Sequence, residues 1–277
     1  MTLLVTGADG FVGRHVLPHL LADGWGVMAC HRVDGSVPSW ASTVPAARWT
    51  PLDLEDDRSV SAAVAPGTEA ILHLAAVASG QEARENVGRA WNVNAAGTAR
   101  LCEAASRLRR EGGDPLVLVV STGEVYGVGG PAGRREDDPT APVSPYASSK
   151  LGAEVTALEV MRRTGLRSIV ARPFAHTGPG QTERYVVPAL ASRLQAAAKS
   201  GAQSVPVGNL DSVRDFLDVR DVADAYVRLL RQGRPGEVYN IASGVGVSLR
   251  DLFDRLAALI GAIWRSEERR VGKECRS

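Results

Sequence analysis

Short continuous apolar runs recur along the first two-thirds of the chain, and apolar residues return at helical spacing between them. The runs predict strands at 3–6, 26–31, 47–50, 70–74, 116–121 and 168–172. The intervening periodicity predicts helices over 11–23, 58–64, 84–109 and 146–164. Strands without polar alternation, separated by helices, imply a parallel sheet covered on both faces, a doubly wound α/β fold. Pro18 is expected to kink the first helix or interrupt its bonding, because it has no N–H to give Arg14. The last third mixes glycine and proline loops with short elements at 186–199, 205–208, 216–219, 221–232, 238–242 and 248–260, and reads as a smaller lobe.

Composition narrows the class of partner. The 32 basic residues nearly cancel the 31 acidic ones, for a net charge of +1. That is no footprint for nucleic acid or an anionic membrane surface. Cys30, Cys102 and Cys275 are odd in number and form no metal-binding spacing. No apolar run reaches membrane-spanning length. Met1 leads straight into the first strand with no room for a signal peptide, so a cytoplasmic protein is expected. His15 and His19 stand one helical turn apart without acidic or cysteine company, so no metal site is expected.

Gly7, Gly10 and Gly13 lie between the first strand and the first helix, with Asp9, Phe11 and Val12 among them. At such a junction the backbone can approach a pyrophosphate, and the helix N-terminus offers unpaired N–H groups and partial positive charge. The spacing is one residue longer than the usual dinucleotide fingerprint. Arg32 closes the second strand where an NAD-binding chain would place a carboxylate, which favours NADP, although Asp34 follows closely and NAD stays open. Asp53 and Leu54 are placed to hold the adenine. Leu74, Ala75 and Ala76 pass beneath the cofactor with small side chains, and His73 reads as a satisfied core histidine.

Tyr146 and Lys150 share a helix face just after Ser144 and Pro145. An ammonium beside a phenol favours the phenolate, so this tyrosine can exchange a proton with a carbonyl oxygen while a hydride moves at the adjacent carbon. Thr122, ending an apolar strand, can donate a hydrogen bond to the same oxygen.

Together these residues resemble the extended short-chain dehydrogenase/reductase family, also known as the NAD-dependent epimerases/dehydratases. The similarity spans residues 2 to about 263. It is carried by Gly7, Gly10 and Gly13, by Asn94 with Gly97-Thr98, by the 121–127 stretch, by Pro145-Tyr146 through Lys150, and by Arg172-Pro173-Phe174, Arg214-Asp215-Phe216 and 239–244. The resemblance implies that Thr122, Tyr146 and Lys150 are catalytic, that Asn94 helps hold the active site together, and that Pro173 lies against the cofactor. Segments 171–181 and 213–219 look most like GDP-6-deoxy-4-keto-mannose reductases, which form GDP-rhamnose. Arg214 would then grip the nucleotide diphosphate. Relatives carry asparagine where this chain has Ala175, which removes an expected polar contact to the sugar nucleotide. Glu124 stands where 4,6-dehydratases keep an acid, whereas Gly123 stands where dTDP-glucose dehydratases keep aspartate. A GDP-mannose-type dehydratase or an epimerase is therefore the rival enzyme, and a non-catalytic dinucleotide-binding scaffold the rival of another class. The same resemblance implies a homodimer formed through helices 84–109 and 146–164.

The expected organisation is a dinucleotide-binding domain over 1–172, joined again by elements of 219–242, and a substrate lobe over 173–263, truncated. The polar, aperiodic 264–277 tail resembles translated vector sequence.

Overall fold

A computed structural model describes residues 1–129, 133–202 and 204–261, and the main chain of 265–268. The chain opens on β1 (Thr2–Thr6), passes a glycine turn into α1 (Phe11–Ala22), and returns on β2 (Gly26–Arg32). After a 3-10 turn (Ser39–Thr43) come β3 (Arg48–Leu52), α2 (Asp57–Ala63) and β4 (Thr68–His73). Two short helices, α3 (Gly80–Glu85) and α4 (Val87–Trp91), lead through a π turn (Asn92–Ala96) into α5 (Gly97–Arg110). Then follow β5 (Leu116–Val120), a 3-10 turn (Gly123–Tyr126), α6 (Pro145–Thr164) and β6 (Arg167–Pro173). The remainder comprises β7 (Ala175–Thr177), α7 (Val186–Ser200), β8 (Ser204–Val207), β9 (Val213–Asp218) and α8 (Val219–Gln232). It continues with β10 (Val238–Ile241), β11 (Gly246–Ser248), α9 (Leu249–Ile260) and β12 (Arg265–Glu268).

Seven strands pair in the order β3-β2-β1-β4-β5-β6-β10, and every pairing is parallel. The doubly wound expectation is met, and β5, LVLVV, is buried along its whole length as a central strand covered on both faces must be. Leu101, Cys102, Ala105 and Leu108 of α5, with Ala153, Ala157 and Val160 of α6, pack on Leu4, Ile71, Val117 and Val119 of the sheet. α1 packs against α8. These elements form one compact unit, Met1–Phe174 with Asp218–Ile241.

The second unit comprises Ala175–Leu217 and the chain from Ala242 onward. It contains a three-stranded sheet ordered β11-β9-β7 and a core of Leu190, Leu194, Val205, Val207, Leu210 and Phe253.

One local expectation needs correcting. The single helix expected over 84–109 is three pieces. Asn86 ends α3 and caps α4 by accepting from the Arg89 N–H at 2.9 Å, and the π turn then interrupts the regular bonding. Helix α1 runs through Pro18 to Ala22, within the span expected for it, with buried Val16, Leu17 and Leu20 on its inner face. In the polar tail, 265–268 form a strand parallel to Ser204–Val207. The tail beyond 268 lies outside the described residues.

Candidate active site

Because the seven strands are parallel, their C-terminal ends share one edge of the sheet, where ligands of open α/β sheets bind. Gly7 follows β1, Arg32 ends β2, Asp53 follows β3, Leu74, Ala75 and Ala76 follow β4, Thr122 follows β5, and Pro173 ends β6. All of these sequence-predicted positions therefore fall on that edge.

The turn after β1 accepts nothing but glycine at two points. Gly7 has φ +65°, and a Cβ there would stand 2.7 Å from the Ala75 backbone nitrogen. A Cβ on Gly13 would stand 2.1 Å from the Ala8 carbonyl oxygen. Gly10 caps α1 without a side chain, and the first turn of the helix carries no acid. A bare cradle ending on the positive end of a helix has the shape and polarity a pyrophosphate needs. Asp9 accepts a 3.3 Å hydrogen bond from the Arg32 N–H, tying this loop to β2. The Arg32 guanidinium is exposed and stands 3.2 Å from Asp34. Asp53 accepts from the Glu55 N–H, and Leu54 is buried against Gly97.

Ser144 caps α6 by accepting from the Ala147 N–H at 3.1 Å, with Pro145 next. Proline is tolerated there because first-turn N–H groups have no helical partner. Tyr146 thus sits in the first turn, packed on the small cluster of Val77, Ala83 and Ala90. Lys150 lies one turn further and is 3 % exposed. Burial pulls its ammonium down to about 8, and the neighbouring charge of Glu154 opposes that fall. Helix α6 packs on β5, β6 and the 3-10 turn after β5, so the element carrying Tyr146 and Lys150 meets the one carrying Thr122. Thr122 caps that turn, its Oγ1 accepting from the Glu124 N–H at 3.2 Å. The hydroxyl proton is left for another acceptor. Glu124 is exposed, and a Cβ on Gly123 would stand 2.9 Å from the Phe174 ring.

Asn94 sits in the π turn, buried, and bonds three ways. Its Oδ1 accepts from the Val77 N–H at 2.8 Å, while its Nδ2 donates to the Val77 carbonyl and to Ser149 Oγ. Ser149 in turn donates to the Tyr146 carbonyl at 2.8 Å. A π turn carries one residue more than an α turn, which is how a helix aims a polar side chain inward without unfolding. His73 lies between Thr6, at 2.7 Å, and Thr98, at 3.0 Å. It is a satisfied core histidine, and complete burial followed by the Lys150 charge lowers it to about 3.

Ala175 and Arg214 lie in the second unit, on β7 and β9 of the same small sheet. Asp215 and Asp218 are engaged elsewhere. Asp215 accepts from the Ser243 and Gly244 N–H groups, and Arg220 holds the Asp218 carboxyl down to about 2.

Sequence reading missed a buried group behind Thr122. Glu154 makes a bidentate pair with Arg172, Nη2 to Oε2 at 2.7 Å, and accepts from Ser121 Oγ. Arg172 also donates to the Tyr126 phenol at 2.8 Å. The spacing of Glu154 from Lys150 was the available signal.

Among the described residues no cluster of metal-binding side chains occurs, and no helix is long and apolar enough to cross a membrane.

The profile of the NAD dependent epimerase/dehydratase family matches residues 3–242. The chain is 36% identical over 286 residues to a GDP-6-deoxy-D-mannose reductase of Pseudomonas aeruginosa, covering 97% of this chain and 86% of the relative. It is similar in structure to RMD from Pseudomonas aeruginosa complexed with NADPH, with a TM-score of 0.80 and 34% identity over 98% of this chain and 86% of that one. It is also similar to DesIV, a dTDP-glucose 4,6-dehydratase from Streptomyces venezuelae with NAD bound. There the TM-score is 0.85 and the identity 28%, over 98% of this chain and 85% of that one.

Proposed function

The chain belongs to the NAD dependent epimerase/dehydratase family, and from that premise we propose that it reduces the 4-keto group of a nucleotide-linked 6-deoxy sugar, GDP-4-keto-6-deoxy-mannose, to GDP-rhamnose. The observation that carries this reading is the buried ammonium of Lys150 one turn below Tyr146, on a helix packed against the strand end that presents Thr122. The dinucleotide, NADP or NAD, would be held by the Gly7, Gly10 and Gly13 cradle and supplies the hydride. Tyr146 gives its proton to O4 as hydride reaches C4, so the ketone gains one hydride and one proton. Thr122, its oxygen already accepting from Glu124, donates its hydroxyl proton to the same O4 and polarises the carbonyl. Lys150 keeps positive charge beside the phenol and would hold the nicotinamide ribose. Asn94, through Ser149, holds the first turn of α6 in place. Arg214 is assigned to the diphosphate, and Ala175 contributes no polar contact.

The tight fit of Gly123 against Phe174 favours a reductase over a dTDP-glucose-type dehydratase, which needs an aspartate at that position. Exposed Val87 and Trp91 on α4 and Val155 on α6 support a homodimer built on these helices, checked by the mass of the protein in solution.

The test is NADPH consumption by the purified protein given GDP-4-keto-6-deoxy-mannose or, separately, GDP-mannose. Stoichiometric oxidation with the keto sugar alone is the expected result. Loss of water from GDP-mannose without net oxidation would replace the reading by a 4,6-dehydratase.

A further inference from the structure

Glu154 stands one helical turn beyond Lys150 on the same face of α6, so Tyr146, Lys150 and Glu154 form one stripe at successive turns. It is 2 % exposed, and its hydrogen-bond partners, Ser121 and Arg172, come from outside α6. Ser121, directly before Thr122, gives it a hydrogen bond. Arg172, directly before Pro173, grips both its oxygens from β6, with Nε at 3.0 and 3.2 Å and Nη2 at 2.7 Å. Arg172 is itself fixed by the Tyr126 phenol, which donates to Asn240 Oδ1 at 2.8 Å, and by the Glu136 carbonyl. A carboxylate in the interior survives only where it is paired and hydrogen-bonded, and this one is held from both sides.

We propose that Glu154 is a positioning residue of the reaction centre: its carboxylate joins the strand end bearing Thr122 to the helix bearing Tyr146, and supplies the negative charge that keeps the Lys150 ammonium in the interior. Of the charged or titratable groups on the elements packed against this helix, only Cys102 of α5, Tyr126 of the 3-10 turn and Arg172 of β6 are buried. Tyr146 of α6, Glu124, and the acids and arginines of α3, α4 and α5 are at least partly exposed, and His73 of β4 is buried nearby. Arg163, with Glu103 and Glu159, lies at the exposed far end of the helix. His73 remains neutral, and Arg172 is committed to Glu154, so Glu154 is the anion whose field reaches Lys150.

The inference rests on Lys150 belonging to the active site, and its test reads Lys150 without substrate. The chain has only three lysines, Lys150, Lys199 and Lys273, so protein labelled with carbon-13 at the lysine side chains gives a spectrum in which Lys150 is assigned by its loss in Lys150→Arg. Its titration midpoint is expected near about 8 in the unsubstituted protein. Glu154→Gln should lower that midpoint by about one pH unit, the sign expected when a nearby negative charge is removed. A double variant, Glu154→Gln with Arg172→Met, removes the pair whole, a less destabilising change than leaving one buried partner alone; it should lower the midpoint in the same direction. A midpoint that stays at the unsubstituted value in both folded variants overturns the proposal, whatever substrate the enzyme takes. In the NADPH assay the alkaline limb of the pH–rate profile of Glu154→Gln should move to lower pH with the midpoint. An unmoved limb counts against a positioning role.

Discussion

His73 and Thr98 share a hydrogen bond of 3.0 Å whose direction is set one step further on, because Thr98 spends its hydroxyl proton on the Asn94 carbonyl at 2.6 Å. Thr98 must therefore accept, His73 Nε2 must carry the proton, and Nδ1 must accept from Thr6 at 2.7 Å. Thr6 Oγ1 also accepts from the Ala75 N–H, so every donor along the line has a single consistent orientation. The line runs from the loop after β4 to the π turn that carries Asn94.

This arrangement makes stability depend on pH in a defined window. The folded protein keeps His73 neutral down to about 3, whereas the unfolded chain protonates it near 6.5. As the pH falls from 6.5 toward 3 the unfolded chain binds the extra proton, and stability drops by about 1.4 kcal/mol per pH unit from this group. Above 6.5 both states are neutral and the contribution vanishes. Urea unfolding of the protein and of His73→Asn over that window should give a shallower slope for the variant.

Gly13→Ala should be more damaging than most alanine substitutions. Its Cβ would meet the Ala8 backbone, carbonyl oxygen at 2.1 Å and carbonyl carbon at 2.5 Å, and backbone cannot step aside as a side chain does. Displacing the loop should cost about 2 kcal/mol of stability and should weaken dinucleotide binding at least tenfold. Urea unfolding and quenching of bound NADPH fluorescence measure the two effects.

Cofactor choice is expected to turn on Arg32 and Asp34, 3.2 Å apart and both exposed. A 2′-phosphate must draw the guanidinium away from Asp34 and approach that carboxylate as it does so. Asp34→Asn removes both obstacles and should improve the NADPH-to-NADH preference by about fivefold. Arg32→Ala should reverse the preference. Steady-state KM values for the two cofactors check the pair of variants, and equal ratios in all three proteins would remove Arg32 from the phosphate site.

Two substitutions separate the possible reactions. Tyr146→Phe deletes the proton donor while keeping the ring on Val77, Ala83 and Ala90, so turnover should fall by roughly a thousandfold or more with dinucleotide affinity nearly unchanged. Glu124→Gln should lower reductase turnover only a few-fold, because a ketone reduction needs no acid beyond Tyr146. In a dehydratase the same change should cost roughly a hundredfold or more.

The parallel sheet was legible because strands buried on both faces carry no polar alternation, and β5 is the plainest instance. That Tyr146 and Lys150 share a face of one helix was legible because Pro145 after a Ser144 cap marks the start of α6 and four residues make one turn. What the sequence concealed depends on contacts between distant positions or on main-chain geometry. Glu154 and Arg172 become partners only when α6 packs on β6, and Ser121 reaches Glu154 across 33 positions. The π turn at Asn92–Ala96 leaves apolar periodicity almost untouched while shifting the hydrogen-bond ladder. β7 and β11, of three residues each, are too short to leave a pattern.

The first unit is assembled from two separated stretches of chain, and this bears on the order in which a ribosome delivers its parts. When Phe174 has emerged, β6 is still an edge strand and α1 still lacks α8. Both partners arrive only after residues 175–217 have been made. For that interval the nascent chain presents an unpaired strand edge and an uncovered apolar helix face, the features that recruit chaperones or drive aggregation. A stalled chain ending near residue 217 should therefore precipitate or stay chaperone-bound, whereas one that has released Ile241 can close the sheet.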